Sequence, residues 1–212
     1  MNIYILSDKK IKGTQNLPMF EISYIPQDID YSSYDALIVT SKNALYSIAK
    51  NSRDENWKKI PIYAIAPQTA NIAKKLSGKL VFTGENGHGD QFALELIYKL
   101  KGKKCLYLSG AKVVSNLIKI LKTNNINCDE KIVYETICKK YTDKIALPKN
   151  STIIFSSPST IKCFLENTTW DQSFKAVCIG NTTAKYLPPY IKPYIAQTTS
   201  LESCVNKAVS LN

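Results

Sequence analysis

Short, continuous apolar runs recur along the chain, each closed by hydroxyl residues. Leu37-Ile38-Val39-Thr40-Ser41 parallels Ile153-Ile154-Phe155-Ser156-Ser157, and both precede helical stretches, at 42–50 and 158–166. A second pair follows: Ile62-Tyr63-Ala64-Ile65-Ala66-Pro67-Gln68-Thr69-Ala70 parallels Ala176-Val177-Cys178-Ile179-Gly180-Asn181-Thr182-Thr183-Ala184. Ser41 and Thr69 are 28 residues apart, Ser157 and Thr183 26 apart, so the spacing repeats with the pattern. Each copy then runs through a short strand, at 80–83 and 194–198, into a capped helix, at 90–100 and 200–211. The openings Ile3-Tyr4-Ile5-Leu6-Ser7 and Cys105-Leu106-Tyr107-Leu108-Ser109 also correspond. Several motifs recurring in one order predict two similar lobes. Alternation of strand and helix predicts parallel sheets, and unbroken apolar strands fit sheets covered on both faces.

Two segments, 20–25 and 131–138, are extended, alternating and rich in Tyr and Ile. They fall where the chain passes between lobes and are read as paired connecting strands. The fold class expected is therefore α/β, with two similar parallel-sheet lobes joined by a two-stranded β connector. The first lobe is discontinuous (1–18 and 140–212), the second is inserted (27–127), and 19–26 and 128–139 connect them. No Gly/Ser linker separates the lobes.

Composition narrows the chemistry. With 212 residues and 44% hydrophobic content, the chain can build two small cores. No apolar stretch is long enough for a bilayer span or a signal segment, so residence in the cytoplasm is the expectation. Cys105, Cys128, Cys138, Cys163, Cys178 and Cys204 form no CxxC pair and read as buried, reduced thiols. The lone histidine, His88, lies in Gly87-His88-Gly89 and reads as part of a turn, which argues against a histidine metal centre or a His-based triad. The net charge is +11, from 28 basic and 17 acidic residues. Arg53 is the only arginine among them, which argues against base or phosphate reading of nucleic acid. Solvated lysines account for most of the charge, and the remainder favours an anionic partner.

Ligands of open parallel sheets bind beyond the carboxyl ends of the strands. Those ends carry Ser41, Thr69, Ser157 and Thr183 at helix starts, with Lys42-Asn43 and Pro158-Ser159 continuing the first turns. A helix start offers free N–H groups and partial positive charge, a receptor for carboxylate or phosphate. Each hydroxyl is also a favoured N-cap, and capping leaves other N–H groups free. Ser109-Gly110-Ala111-Lys112 follows a strand and is expected to open a helix, whereas 84–89 lacks the spacing of a phosphate loop.

The pattern Thr40-Ser41-x-x-Ala44, Thr69-Ala70, Val133-Tyr134-Glu135-Thr136, Phe155-Ser156-Ser157-Pro158-Ser159 and Ile179-Gly180-Asn181-Thr182-Thr183-Ala184 resembles the uroporphyrinogen-III synthase family, in order and over nearly the whole chain. The resemblance implies two α/β lobes on a two-stranded connector, binding substrate in the cleft between them. It implies a cofactor-free, metal-free hydro-lyase acting on hydroxymethylbilane, a linear tetrapyrrole with acetate and propionate arms. Loss of hydroxyl gives an azafulvene cation. Attack by ring D at its substituted carbon then gives a spiro intermediate, whose fragmentation and reclosure invert that ring; without enzyme, direct closure gives the type I isomer. Ser41, Lys42, Asn43, Thr69, Gly110, Lys112, Ser157, Ser159, Thr182 and Thr183 are the implied substrate contacts. Tyr134 matches the connector tyrosine and is the candidate proton donor to the departing hydroxyl; packing on the connector ladder is the other reading. The chain departs from the family at Ala66-Pro67, where a Gly and its backbone donor are usual. It departs again at 8–18, which is short and polar for a first helix, and near Lys112, where an arginine is common.

The expected partner is the small-molecule substrate, with no nucleic acid or membrane. The chain is expected to be a monomer in transient contact with the enzyme that makes hydroxymethylbilane. The competing reading is a non-catalytic two-lobed binder or sensor of a small polycarboxylate, which explains the repeat and the charge equally well.

Overall fold

The computed structural model describes residues 2–7 and 9–211; Met1, Asp8 and Asn212, which fall in the segments 1–18 and 140–212, lie outside them. The chain opens with strands β1 (Ile3–Ile5), β2 (Gln15–Asn16) and β3 (Phe20–Tyr24). Alternation follows: β4 (Ala36–Val39), α1 (Lys42–Asn51), β5 (Ile62–Ala64), α2 (Pro67–Lys75), β6 (Leu80–Thr83) and α3 (Gly89–Leu100). Then come β7 (Lys104–Gly110), α4 (Leu117–Thr123) and the long β8 (Asn127–Cys138). The last third holds β9 (Thr152–Phe155), α5 (Pro158–Asn167), β10 (Lys175–Cys178), α6 (Asn181–Ala184), β11 (Pro193–Ile195) and α7 (Leu201–Ser210).

Two compact units result: an inserted unit, Ile22–Thr136, and a discontinuous unit, Met1–Glu21 with Ile137–Asn212. The sheet of the inserted unit has the order β3-β8-β7-β4-β5-β6. Strands β4, β5, β6, β7 and β8 pair parallel, for example Leu37↔Ile62 and Leu37↔Leu106. Strand β3 lies beside β8 and runs the other way, with Ile25 N–H donating to Val133 O and Lys139 N–H to Met19 O. Leu37 and Val39 pack with Leu45, Ile48, Ala70 and Ala73 of α1 and α2. Ala36 and Ile38 point the opposite way, onto Phe92 and Leu96 of α3 and Leu117 and Leu121 of α4. Helices thus cover both faces, which is why β4 can be apolar at every position. Truncating Leu106, fully buried in this core, to Ala would cost about 2–5 kcal/mol.

The discontinuous unit carries the parallel order β11-β10-β9-β1-β2. Ile161 and Phe164 of α5 cover one face with Tyr4, Ile153 and Phe155. Cys204, Val205 and Ala208 of α7 cover the other with Ile3, Ile154 and Val177. Among the described residues no helix connects β1 to β2, and 9–18 is loop and short strand.

The structure corrects three sequence expectations. Residues 109–112 do not open a helix: the chain turns through 111–116 and α4 begins at Leu117. Helix α3 has no side-chain cap; His88 occupies the N-cap position inside a turn fixed by its N–H bond to Asn86 Oδ1 at 3.1 Å. The six cysteines are not all reduced: Cys138, at the end of β8, forms a disulfide with Cys163 in the middle of α5, their Cα atoms 5.2 Å apart. Cys105, Cys128, Cys178 and Cys204 are free and buried. Burial pushes these thiols up to about 11, 12, 12 and 11, so they remain protonated and inert at neutral pH.

Candidate functional site

In a doubly wound sheet the binding crevice lies where strand order reverses, beyond the carboxyl ends. In the inserted unit the chain steps outward from β4 to β5 and β6, then returns to β7 and steps the other way to β8. The reversal therefore falls between β4 and β7. Ser41 follows β4 and caps α1, its Oγ accepting the Asn43 N–H at 3.2 Å. Lys42 is exposed beside it. Thr40 Oγ1 and the Tyr107 hydroxyl, 3.1 Å apart, link the end of β4 to the middle of β7. Tyr107 is almost fully buried, and burial raises its phenol above the ordinary value, so it is a neutral strut.

At the end of β7, Ser109 is fully buried and its Oγ has no hydrogen-bond partner among the described residues. The pairing with β8 shifts register between Ser109 and Gly110, setting Gly110 opposite Tyr134. The Tyr134 ring lies over Gly110: a Cβ there would sit 2.7 Å from Cζ and 2.9 Å from the hydroxyl oxygen. Ala111 N–H donates to Tyr134 O at 2.9 Å and closes the arrangement. Tyr134 is half-buried, one edge packed on the core. Lys112 is exposed two residues beyond Gly110.

Thr69 differs from the cap expected of it. Helix α2 starts at Pro67, with Ala66 as N-cap and no side-chain cap bond, so Thr69 is the third helical residue and is buried. Proline is well placed at a first helical position but contributes no N–H there. Backbone donors at this helix start are therefore limited to Gln68 and Thr69, since the Ala70 N–H is bonded to Ala66 O.

In the discontinuous unit the reversal falls between β1 and β9. Ser157 follows β9 and caps α5 in a reciprocal box: Ser157 Oγ accepts the Thr160 N–H at 3.4 Å, and Thr160 Oγ1 accepts the Ser157 N–H at 3.2 Å. Ser159 is exposed in the first turn. Thr183 again is no cap: Gly180 holds that position, and α6 is a single turn with Thr182 exposed and Thr183 buried. The expected contacts thus form two sets, one at the carboxyl edge of each sheet. Ser41, Lys42, Asn43, Thr69, Gly110 and Lys112 belong to the inserted unit, with Tyr134 against Gly110; Ser157, Ser159, Thr182 and Thr183 belong to the discontinuous one.

A feature missed at the sequence level lies at that second edge. A pocket of about 710 Å³ is lined by Ser7, Lys9, Lys10, Ser156, Thr199 and the start of α7. Its signal was the Lys9-Lys10-x-Lys12 run directly after the first apolar strand. Among the described residues no group of three or more His, Cys, Asp or Glu side chains is disposed to hold a metal ion, and no helix is long and apolar enough to cross a membrane.

The chain is 26% identical over 215 residues to the porphyrin biosynthesis protein HemD of Ruminiclostridium josui, an alignment covering 92% of this chain and 43% of that protein. It therefore spans less than half the length of that curated relative. Its fold is similar to the crystal structure of uroporphyrinogen-III synthetase from Helicobacter pylori 26695, at 31% identity and a TM-score of 0.68, with 100% of this chain and 99% of that one covered. The profile of the family described as uroporphyrinogen-III synthase HemD matches residues 15–206, which includes most of both units. The chain belongs to the uroporphyrinogen-III synthase family.

Proposed function

We propose that the chain is a uroporphyrinogen-III synthase, a cofactor-independent hydro-lyase that closes hydroxymethylbilane with inversion of ring D and loss of water. The observation that carries this reading is the family match over residues 15–206, joined to a serine cap at the corresponding helix start of each unit. The reaction needs no strong protein nucleophile, because the substrate supplies both the electrophilic carbon and the attacking ring. What the protein contributes is the fixed geometry of a flexible polyanion, worth up to roughly 7–11 kcal/mol where alignment is ideal.

The cap geometry refines the roles proposed for the serines. Ser41 Oγ and Ser157 Oγ each accept a backbone N–H. A hydroxyl that accepts through one lone pair keeps its own proton to donate to a substrate carboxylate. Capping and binding are therefore simultaneous in this proposal. Lys42, Asn43, Thr69, Gly110, Lys112, Ser159, Thr182 and Thr183 complete the proposed contacts, with the buried Thr69 and Thr183 contributing through backbone N–H more than through side chains. Tyr134 is proposed to give its phenolic proton to the departing hydroxyl, since a phenol is uncharged at neutral pH and can donate. The proposed setting is the cytoplasm, with the protein a monomer that takes its unstable substrate from the preceding enzyme.

The test is to supply freshly made hydroxymethylbilane and separate the uroporphyrinogen isomers. Type III product above the spontaneous background is the expected result. Type I alone would reject the synthase reading.

A further inference from the structure

We propose that the pocket at the carboxyl edge of the discontinuous unit is an anion subsite in which Lys9 and Lys10 hold a carboxylate arm of the tetrapyrrole. Naming that arm rests on the synthase reading; the anion preference rests on the pocket itself. The two units share one plan. Strand β1 lies beside β9 as β7 lies beside β4, and β9, β10 and β11 follow one another as β4, β5 and β6 do. Helix α7 follows β11 as α3 follows β6. The plans part after the first strand of each set. In the inserted unit α4 follows β7 and joins α3 in covering one face of the sheet. In the discontinuous unit a loop passes from β1 to β2, and α7 covers the corresponding face with Ile11 in support. The space of about 710 Å³ opens beside that loop, next to Ser7 after β1 and Ser156 after β9. It therefore sits at the reversal of strand order, where open α/β sheets take ligands.

The lining is built for an anion. The loop carrying the lysines is pinned: Asn16 Nδ2 donates to Ser7 O at 2.6 Å and to Lys9 O at 2.8 Å, and the Lys9 N–H donates to Ser7 Oγ at 3.3 Å. Neither lysine ammonium has an ion-pair partner among the described residues. Among the described residues the lining contains one carboxylate, Glu202, against these two cations. Helix α7, ten residues long, begins at the wall; Ser200 takes the Ser203 and Cys204 N–H groups, while those of Leu201 and Glu202 have no acceptor within the helix. Two lysine ammonium groups, compact point charges on flexible stems, suit a carboxylate on a flexible arm better than a planar bidentate group, which an arginine fork would favour.

The experiment measures binding of uroporphyrin, an octacarboxylate stable in air, by its fluorescence at low and high salt. Lys9→Ala/Lys10→Ala should weaken binding about five- to tenfold at low salt, with a shallower salt dependence, since each exposed charge contact is modest. Lys149→Ala/Lys192→Ala removes equal charge ahead of β9 and β11, at the opposite edge of the same sheet, and should leave binding unchanged. Equal effects in the two double variants, no effect in the first, or no binding by the wild type would each overturn the proposal. The isomer assay separates its fate from that of the parent reading. Type III product with lysine-independent binding removes the subsite alone; lysine-dependent binding with only type I product removes the synthase reading and leaves the anion site.

Discussion

Gly110→Ala is the sharpest probe of Tyr134, because it moves that side chain without changing its chemistry. The added Cβ would lie 2.7 Å from Cζ of the ring, against an ordinary contact distance of 3.4 Å or more. The ring must therefore retreat by at least about 0.7 Å, the difference between those two distances. Gly110 does not have positive φ, so its backbone accepts alanine, and the three atoms nearest the added Cβ all belong to Tyr134. The clashing atoms are the far end of a half-buried side chain, so the stability loss should be at the low end of overpacking, about 1 kcal/mol. Catalysis should respond differently. A proton donor displaced by most of an ångström loses its alignment, and such displacements cost up to about 100-fold. Single-turnover rates of Gly110→Ala, Tyr134→Phe and the double variant should be read beside their urea midpoints. If the phenol donates the proton, both single variants fall by about 10- to 100-fold and the double falls no further, because the two changes disable one group. A Gly110→Ala enzyme with a normal rate and a lowered midpoint would refute the acid role and leave Tyr134 as a packing residue.

Two further expectations concern stability. The Cys138–Cys163 disulfide closes a loop of 25 residues, for which chain entropy gives about 3.5 kcal/mol. Treating the oxidised protein with dithiothreitol, or replacing both cysteines by serine, should lower the unfolding transition of the discontinuous unit, and an unmoved transition would show that α5 is held without the link. The four free thiols are raised above the value near 9 that they regain on unfolding. Their contribution is complete below pH 9 and is lost as pH climbs towards 11–12, because the unfolded chain releases these protons first. Each buried thiol then removes up to about 1.4 kcal/mol per pH unit, so urea midpoints should fall steeply from pH 9 to 10, and less steeply in Cys105→Ala/Cys128→Ala.

The elements most legible in the sequence were those buried on both sides. Runs such as Leu37-Ile38-Val39 and Ile153-Ile154-Phe155 have no polar position to offer solvent, so only a sheet sandwiched by helices accommodates them. Ser41 and Ser157 were legible as helix starts because local chemistry decides a cap. Thr69 and Thr183 were misread by about one turn. Pro67 seeds α2 two residues earlier, and Gly180, with no side chain to cap, takes the position a hydroxyl was expected to fill. The disulfide was hidden because its partners share no motif; only the meeting of β8 with α5 brings their Cα atoms to 5.2 Å. Lys9 and Lys10 looked like ordinary solvated charge: the short, polar stretch 8–18 spoke against a first helix, but nothing local reveals that a pocket opens beside it.

Strand order explains why the candidates do not carry equal weight. Strand order fixes where each sheet reverses: Ser41, Lys42, Asn43, Gly110 and Lys112 follow the strands that flank it in one unit, and Ser7, Ser156, Ser157 and Ser159 in the other. Thr69 and Thr183 lie one strand further out, at β5 and β10, and both are buried within their own helices. Parallel strands next to one another are separated by about 4.8 Å, so one step outward takes a side chain beyond direct hydrogen-bond reach of a group seated at the reversal. A small carboxylate held at the switch would therefore meet the serine caps directly. The outer threonines would meet the substrate only through another arm, which a tetrapyrrole bristling with acetates and propionates can supply and a compact dicarboxylate cannot. Within each unit, that difference in reach is what the proposed threonine contacts would require of their ligand.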